Sequence, residues 1–314
     1  MSPLRRSRAQ PPTHTEVKVR PRILLATIAV LCTAACDASP PSASSTPTTV
    51  AVNEPAIVAN TKTFVPGSTK ARYIYTPPAG VPNGKLLVYV HGGFWQQGTP
   101  TLTVGIKDLP AQGWAVVAAD FRLPARHPQA EEDVAAVVKY AQRQLGVSPE
   151  NTVLYGESSG GHTATMVAYG WNDGRSYGAP VGRVVTLSAP WSVAATAKTS
   201  WVAAQSAADG LLGCSVPGAQ WLWVTACSNA FVQAAEPVSV LDSGDPPTFV
   251  AGFSGDGLVP PHVGYRAAVD ALTAAGVPVG SVEGTRNLHF YSSTPLTDPE
   301  QANLLGAVLA AINT

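Results

Sequence analysis

The sequence predicts an α/β fold: a mostly parallel central sheet with helices on both faces and a small inserted cap segment. Short apolar runs alternate with segments in which apolar residues recur at helical spacing, and this alternation is typical of βαβ units. Several runs are apolar at almost every position, as expected of strands buried on both faces. The 314 residues suffice for one such domain, and the formal net charge of zero gives no reason to expect nucleic acid as a partner.

The first 36 residues are predicted to be a signal peptide. Basic residues precede an apolar run at 23–35, which is too short to span a bilayer but suits the core of a signal peptide. Small residues before Cys36 resemble a bacterial lipoprotein signal, in which that cysteine is lipidated, although Thr33 departs from the usual leucine. Ordinary cleavage with free secretion is the alternative. Both predict an exported protein, either a cell-envelope lipoprotein or a secreted one, with membrane contact only through a lipid anchor.

The folded domain is predicted to span 56–314. Residues 37–55, before it, are rich in Ser, Thr, Pro and Ala without periodicity, which is typical of a flexible tether. The first predicted strand, at 71–76, alternates and should be an antiparallel edge strand. The other predicted strands are 85–90, 114–119, 152–155, 184–187, 248–253 and 277–283. Helical spacing predicts helices at 102–111, 130–145, from 160 onwards, at 263–275 and at 299–312.

One stretch, about 191–243, interrupts this alternation and is interpreted as a cap-like insertion over the carboxyl edge of the sheet. It contains four of the seven tryptophans, at positions 191, 201, 221 and 223. Because disulfides form in exported proteins, Cys214 and Cys227 are expected to be paired. No metal-ligand spacing accompanies them, so no metal is expected. The insertion is either an aromatic wall for a substrate or a small satellite core.

A serine between two glycines follows the predicted strand at 152–155. The pentapeptide Gly156-Glu157-Ser158-Ser159-Gly160 has the G-x-S-x-G pattern, in the strand, turn and helix context that a nucleophile elbow requires. Both glycines are needed because a side chain there would collide with the strand or the helix. Ser158 would stand at a helix N-terminus, where the dipole favours developing negative charge. For the pentapeptide alone, an ordinary glycine-rich turn is the alternative.

A serine nucleophile needs a base, and the base needs an acid to orient it. Asp256 follows the predicted strand 248–253 at its carboxyl end, where open α/β sheets place their sites. His289 lies between the last predicted strand and the last helix, which completes the order serine, acid, histidine that this kind of elbow fold requires. Asp242 and Asp245 precede their strand and are expected to be loop residues. Less well placed are the histidines at 91, 127, 162 and 262.

Backbone N–H groups near the serine are expected to bind the oxyanion of the reaction. One belongs to the residue after the nucleophile, and others belong to the loop after strand 85–90, where small residues let the backbone approach the developing charge. The candidates for this oxyanion hole are Gly92, Gly93, Phe94 and Ser159. The candidate substrate-binding residues are Trp95, beside this loop, and Trp191, at the start of the insertion.

Four motifs occur in order between about residue 71 and the C-terminus. They are His91-Gly92-Gly93-Phe94-Trp95, Asp120-Phe121-Arg122-Leu123, the elbow extended through Gly161 and His162, and Gly255-Asp256-Gly257-Leu258-Val259-Pro260. Together they resemble the α/β-hydrolase esterases of the hormone-sensitive-lipase-like and carboxylesterase group, near its arylformamidase (kynurenine formamidase-like) branch. The resemblance implies the α/β-hydrolase fold, a catalytic triad of Ser158, Asp256 and His289, and no cofactor.

Two positions depart from the motifs of that group. Phe94 stands where these esterases usually have a third glycine, as in the formamidase-like pattern, and its backbone N–H can still donate. The usual Asp-Tyr-Arg-Leu motif has phenylalanine at its second position, and the alanine that usually follows it is missing. Asp120 and Arg122 are expected to be structural residues that brace the loop beside the site.

These observations predict a carboxylesterase-type serine hydrolase that acts on small-molecule esters, with short-chain or aryl esters as substrates. Hydrolysis of arylformamides is the alternative within enzymes. The alternative from another class is a hydrolase-fold lipoprotein that binds a ligand without turnover.

Overall fold

A computed structural model describes residues 54–218, 225–289 and 298–314 of the protein. They fall within one compact unit, Asn53–Thr314. The predicted signal peptide with Cys36, nearly all of the predicted tether, and Trp221 and Trp223 of the insertion lie outside the described residues. Within the described ranges, no helix is long and apolar enough to cross a membrane.

Eight strands of the described residues form one sheet, in the order β1-β2-β4-β3-β5-β6-β7-β8. The strands are β1 Thr63–Phe64, β2 Arg72–Thr76, β3 Leu86–Val90, β4 Ala115–Asp120, β5 Thr152–Glu157, β6 Arg183–Leu187, β7 Thr248–Phe253 and β8 Val279–Gly284. The six strands from β4 to β8 in this order are parallel to one another. At one edge of the sheet, β2 pairs antiparallel with β4, and β1 pairs antiparallel with β2. The predicted mostly parallel sheet is confirmed. The structure adds β1 outside β2, a strand that was not predicted because its two residues are too few to form a sequence pattern.

The α-helices of the described residues are α1 Gln129–Leu145, α2 Ser159–Asn172, α3 Val193–Thr196, α4 Val202–Leu212, α5 Asn229–Ala234, α6 Tyr265–Ala275 and α7 Pro299–Asn313. Four of these helices, α1, α2, α6 and α7, were predicted, whereas the three helices of the insertion, α3 to α5, were not. The helix predicted at 102–111 is instead a 3₁₀ helix, Ile106–Gln112, between Gly105 and Gly113. It contains Pro110, and proline lacks the N–H that the interior of an α-helix requires.

Helices cover both faces of the sheet because alternate residues of a strand point to opposite sides. Val88 of β3 and Leu154 of β5 belong to a buried cluster with residues of α1, α2 and α6. Leu87 and Tyr155, their neighbours along the strands, pack with the 3₁₀ helix and α7 on the other face. The two layers fix the strands, so loops that follow parallel strands meet at one edge of the sheet.

The predicted insertion lies between β6 and β7 and carries α3, α4 and α5. Cys214 and Cys227 form a disulfide with an S–S distance of 2.09 Å, which confirms the predicted pairing. A cross-link across a loop of this length stabilises a fold by about 3 kcal/mol in the chain-entropy model. Trp191 and Leu211 belong to the same buried cluster as residues of β3 and β5. The insertion is therefore continuous with the main core rather than a separate satellite core.

Candidate active site

The turn between β5 and α2 has the geometry of a nucleophile elbow. Ser158 lies between the end of β5 at Glu157 and the start of α2 at Ser159, with φ +52° and ψ −128°. A non-glycine residue in this region is strained by about 1 kcal/mol or more, so the surrounding structure must hold it. A Cβ at Gly160 would lie 2.3 Å from the carbonyl oxygen of Val90. Only glycine therefore lets α2 approach the end of β3 this closely.

His289 and Asp256 meet Ser158 at the carboxyl edge of the sheet. The Nε2 atom of His289 lies 2.8 Å from Ser158 Oγ, and its Nδ1 atom lies 2.7 Å from Asp256 Oδ2. Because a carboxylate only accepts hydrogen bonds, Nδ1 carries the proton and donates it, which leaves Nε2 to accept from the serine hydroxyl. The structure thus places the predicted nucleophile, base and acid in one hydrogen-bonded chain.

The turn after β7 fixes the carboxylate of Asp256. Its Oδ1 atom accepts hydrogen bonds from the backbone N–H groups of Leu258 at 2.9 Å and Val259 at 3.0 Å. The other oxygen is left to face the histidine. Asp242 and Asp245 lie in the loop before β7, where the N–H of Asp242 donates to Asp245 Oδ2 at 2.8 Å. They are loop residues, as predicted.

The loop after β3 presents backbone N–H groups beside the elbow. Gly93, Phe94 and Trp95 have φ values of +127°, +61° and +57°, and a Cβ at Gly93 would lie 1.9 Å from the carbonyl oxygen of Gln97. The N–H of Trp95 donates to Ser159 Oγ at 3.3 Å. Within the described ranges, no hydrogen bond is donated by the N–H group of any of the four predicted donors, Gly92, Gly93, Phe94 and Ser159. They are therefore available to a developing oxyanion.

A cavity of about 630 Å³ adjoins this loop and the elbow. Gly92 and Gly93 of this loop and Glu157, the residue before Ser158, line it, and Leu102 and Leu187 contribute apolar walls. Polar side chains of the following segment also line it, namely Gln97, Thr99, Thr101, Thr103 and Lys107. The cavity is therefore amphipathic rather than a purely apolar channel.

Glu157 is a buried acid in the site that the sequence analysis did not assign. Its carboxylate accepts hydrogen bonds from the hydroxyls of Thr103 at 2.6 Å, Tyr155 at 2.7 Å and Tyr89 at 3.2 Å. Burial raises the pKa of Glu157, and the three hydroxyl donors act in the opposite direction. The bond to Thr103 attaches the cavity wall to the elbow. The signal in the sequence is one acid inside an apolar strand, directly before the candidate nucleophile.

Trp95 and Trp191 do not present a surface that a substrate can reach. They are 2% and 1% exposed, and the ring of Trp191 packs against Tyr169 with centroids 6.0 Å apart. Their prediction as substrate-binding residues is therefore corrected: both indoles fill the core beneath the insertion. The aromatic pair beside the oxyanion loop is instead Phe94 and Trp201, with ring centroids 5.6 Å apart and both partly exposed.

Residues of two motifs brace the loops beside the site. Asp120 Oδ2 lies 2.8 Å from Nε of Arg72 in β2. Arg122 donates two side-chain hydrogen bonds to the carboxylate of Asp133, at 2.8 and 2.6 Å. The ring of His91 stacks on Phe121 with centroids 4.5 Å apart, and burial lowers the pKa of His91. These contacts match the structural role expected for Asp120 and Arg122.

The described part of the chain contains no group of His, Cys, Asp and Glu that could hold a metal ion.

Comparison with known proteins extends the sequence resemblance. The profile of the BD-FAE family matches residues 73–267, which is more than half of the chain. Carboxylesterase NlhH of Mycobacterium tuberculosis is 27% identical over 251 residues, which are 76% of this chain and 76% of that protein.

Two solved structures share the fold at low sequence identity. Native esterase 2 of Thermogutta terrifontis superposes with a TM-score of 0.60 at 17% identity, over 80% of this chain and 90% of that one. An acetyl ester-xyloside bifunctional hydrolase from Caldicellulosiruptor lactoaceticus gives a TM-score of 0.63 at 16% identity, over 82% and 98%. The predicted α/β-hydrolase fold is thereby confirmed, and by its match to the profile over more than half its length the chain belongs to the BD-FAE family.

Proposed function

We propose that this protein is a serine hydrolase that cleaves carboxylic esters through an acyl-enzyme on Ser158. The observation that carries the proposal is the hydrogen-bonded chain from Ser158 through His289 to Asp256. The names of similar proteins support the reaction, since one is a carboxylesterase and another an esterase. A module that only binds a ligand has no need to keep all three groups in this geometry.

In the acylation step, Ser158 Oγ attacks the carbonyl carbon of the ester while His289 Nε2 takes the serine proton. Asp256 holds the ring and stabilises the imidazolium that forms. The donors for the oxyanion are the N–H groups of Gly93, Phe94 and Ser159. Each such donor is worth about 3 kcal/mol of the barrier. The tetrahedral intermediate then releases the alcohol, which takes the proton back from His289.

Water completes the cycle on the acyl-enzyme. His289 takes a proton from water, which attacks the acyl carbon, and then returns that proton to Ser158 as the acid leaves. Serine, histidine and water supply every bond change and proton transfer, so the proposal includes no cofactor.

The substrates that fit best are small-molecule esters with short acyl chains or aryl groups. A long alkyl chain in the cavity would cover the polar side chains of Gln97 and Lys107. Covering polar groups without giving them hydrogen-bond partners costs free energy. The partly exposed rings of Phe94 and Trp201 offer a surface on which an aryl group can pack.

A panel of p-nitrophenyl esters tests this substrate class. The value of kcat/KM is expected to be highest between acetate and butyrate and to fall about tenfold or more by decanoate. The panel is measured on protein that lacks residues 1–36, with initial rates below KM. A maximum at decanoate would contradict the proposed short-chain preference.

Arylformamide hydrolysis stays the alternative, because the His-Gly-Gly-Phe-Trp loop follows the formamidase-like pattern. The same serine and base would serve for both reactions, so turnover decides between them. Including N-formylkynurenine in the panel separates the two. Turnover of this compound above that of the best ester would replace ester hydrolysis by formamide hydrolysis.

We also propose that the protein is exported. Two observations support export: the apolar run before Cys36 and the disulfide in the domain. Disulfides persist in oxidising compartments. In a bacterial host, the full-length protein is expected to sediment with membranes and to yield a lipidated N-terminal peptide that begins at Cys36, detected by mass spectrometry. Cys36→Ser, the matched control, should lose the lipid and leave the membrane fraction. An unprocessed chain in the cytosol would contradict export.

A further inference from the structure

One buried histidine outside the triad connects three parts of the site. His162 lies one turn after Ser158 on α2 and is fully buried. Its Nε2 atom lies 2.9 Å from the carbonyl oxygen of Ala235 in the insertion. Its ring meets the ring of Trp95 edge-on, with centroids 5.1 Å apart and an interplanar angle of 87°. The nucleophile helix, the insertion and the oxyanion loop therefore converge on this side chain.

The contact with Ala235 determines which ring nitrogen of His162 carries the proton. A carbonyl oxygen only accepts, so Nε2 is the donor and Nδ1 keeps a lone pair in the neutral ring. Within the described ranges, no hydrogen-bond partner faces Nδ1. Burial lowers the pKa of His162, which favours the neutral ring, although the charge of Glu131 acts in the opposite direction. His162 is thus held by one hydrogen bond and by packing, and it is not placed to carry protons in the reaction.

The oxyanion loop needs support because its backbone is strained. Phe94 and Trp95 are consecutive non-glycine residues with φ values of +61° and +57°, and each such residue costs about 1–2 kcal/mol. The backbone of Trp95 is held through its N–H, on Ser159 Oγ at 3.3 Å, and through its carbonyl oxygen, which accepts from the N–H of Ala125 at 2.7 Å. Its indole Nε1 has no partner among the described residues. Packing alone therefore orients the ring.

We infer that His162 is a positioning residue for ester hydrolysis: by packing against Trp95 it holds the turn whose Gly93 and Phe94 N–H groups face the oxyanion. This role presupposes the proposed function. Oxyanion donors act at about 2.7–3.1 Å, and a misplacement of about 1 Å can cost about 100-fold in rate. Without the ring of His162, the indole can shift into the vacated space and carry the turn with it. Trp95 is not among the described residues that line the cavity, so ground-state binding should change little.

Two substitutions separate the ring of His162 from its N–H group. His162→Gln keeps a side-chain donor but removes the ring, and kcat for p-nitrophenyl butyrate is expected to fall about 10- to 100-fold while KM stays within about twofold. The affinity for an alkylboronic acid, which forms a tetrahedral adduct on the serine, should fall by the same factor. His162→Phe keeps a ring edge against Trp95 and should retain kcat within about threefold. Should glutamine prevent folding, Trp95→Phe shrinks the contacted ring and is expected to give the same loss of kcat.

Glu236→Gln is the matched control for the insertion. The carboxylate of Glu236, the residue after Ala235, accepts hydrogen bonds from the N–H groups of Val193 at 3.1 Å and Ala194 at 2.7 Å. These bonds hold α3, at the start of the insertion, against the segment that contains Ala235. This variant should lower the thermal midpoint and leave kcat unchanged. Wild-type kcat in His162→Gln, or an equal loss of boronate affinity in Glu236→Gln, would overturn the role of His162. A wild-type protein without esterase turnover would overturn the proposed function itself, which is a different result.

Discussion

Replacement of Ser158 by alanine is expected to lower kcat for p-nitrophenyl butyrate by about 10⁶-fold. Alanine removes the oxygen that lies 2.8 Å from His289 Nε2, so no acyl-enzyme can form. The N–H groups of the oxyanion loop stay in place and leave a residual rate above that in water. Initial rates at high enzyme concentration, with the thermal midpoint measured in parallel, check that the loss is chemical and not a loss of fold.

A fluorophosphonate probe tests the same residue without a substrate. The probe reacts with a serine only where a base and an oxyanion hole activate it, so the wild type should be labelled and Ser158→Ala should not. Ser188→Ala is the matched control, because Ser188 is also buried and its Oγ has no hydrogen-bond partner among the described residues. An unlabelled wild type, or equal labelling after Ser158→Ala, would favour the lipoprotein that binds without turnover.

The sequence was sufficient to predict that Ser158, Asp256 and His289 lie together, because each of them follows the carboxyl end of a parallel strand. Ser158 comes directly after β5, Asp256 after β7 and His289 after β8. The strands of a parallel sheet end at the same edge, so Ser158 and His289 are expected to meet although they lie 131 residues apart in the sequence. The elbow was predictable for a local reason, since Gly156 and Gly160 are required by contacts within a few residues of the serine.

Features that depend on side-chain partners from distant segments could not be predicted. Glu157 is held by a threonine from the cavity wall, and His162 contacts a carbonyl 73 residues away, so neither partner appears in a local pattern. The sequence favours Trp95 and Trp191 as substrate-binding residues, but a large aromatic ring near a site can either line a cavity or fill a core. Both options bury apolar area, and only the packing of the insertion decides between them.

Replacement of Asp256 by asparagine is expected to lower kcat by about 10⁴-fold without displacing the histidine. Oδ1 of Asp256 accepts from the N–H groups of Leu258 and Val259, so the amide oxygen of asparagine will take that position and its NH₂ group will face His289 Nδ1. An NH₂ group donates, which forces Nδ1 to accept and moves the ring proton to Nε2. Nε2 then faces Ser158 as a donor and cannot take the serine proton. Single-turnover kinetics on p-nitrophenyl butyrate measures the loss in acylation.

Asp245→Asn is the matched control for this substitution. Asp245 is a second buried aspartate, in the loop before β7, and burial raises its pKa to about 6. A folded-state pKa above the unfolded value means that stability falls as the pH rises from about 4 to 6, as Asp245 ionises. Asparagine should remove this slope and leave kcat unchanged. If Asp256→Asn keeps more than about a tenth of the wild-type kcat, the tautomer argument fails, and Asp256 would then not be the group that orients His289.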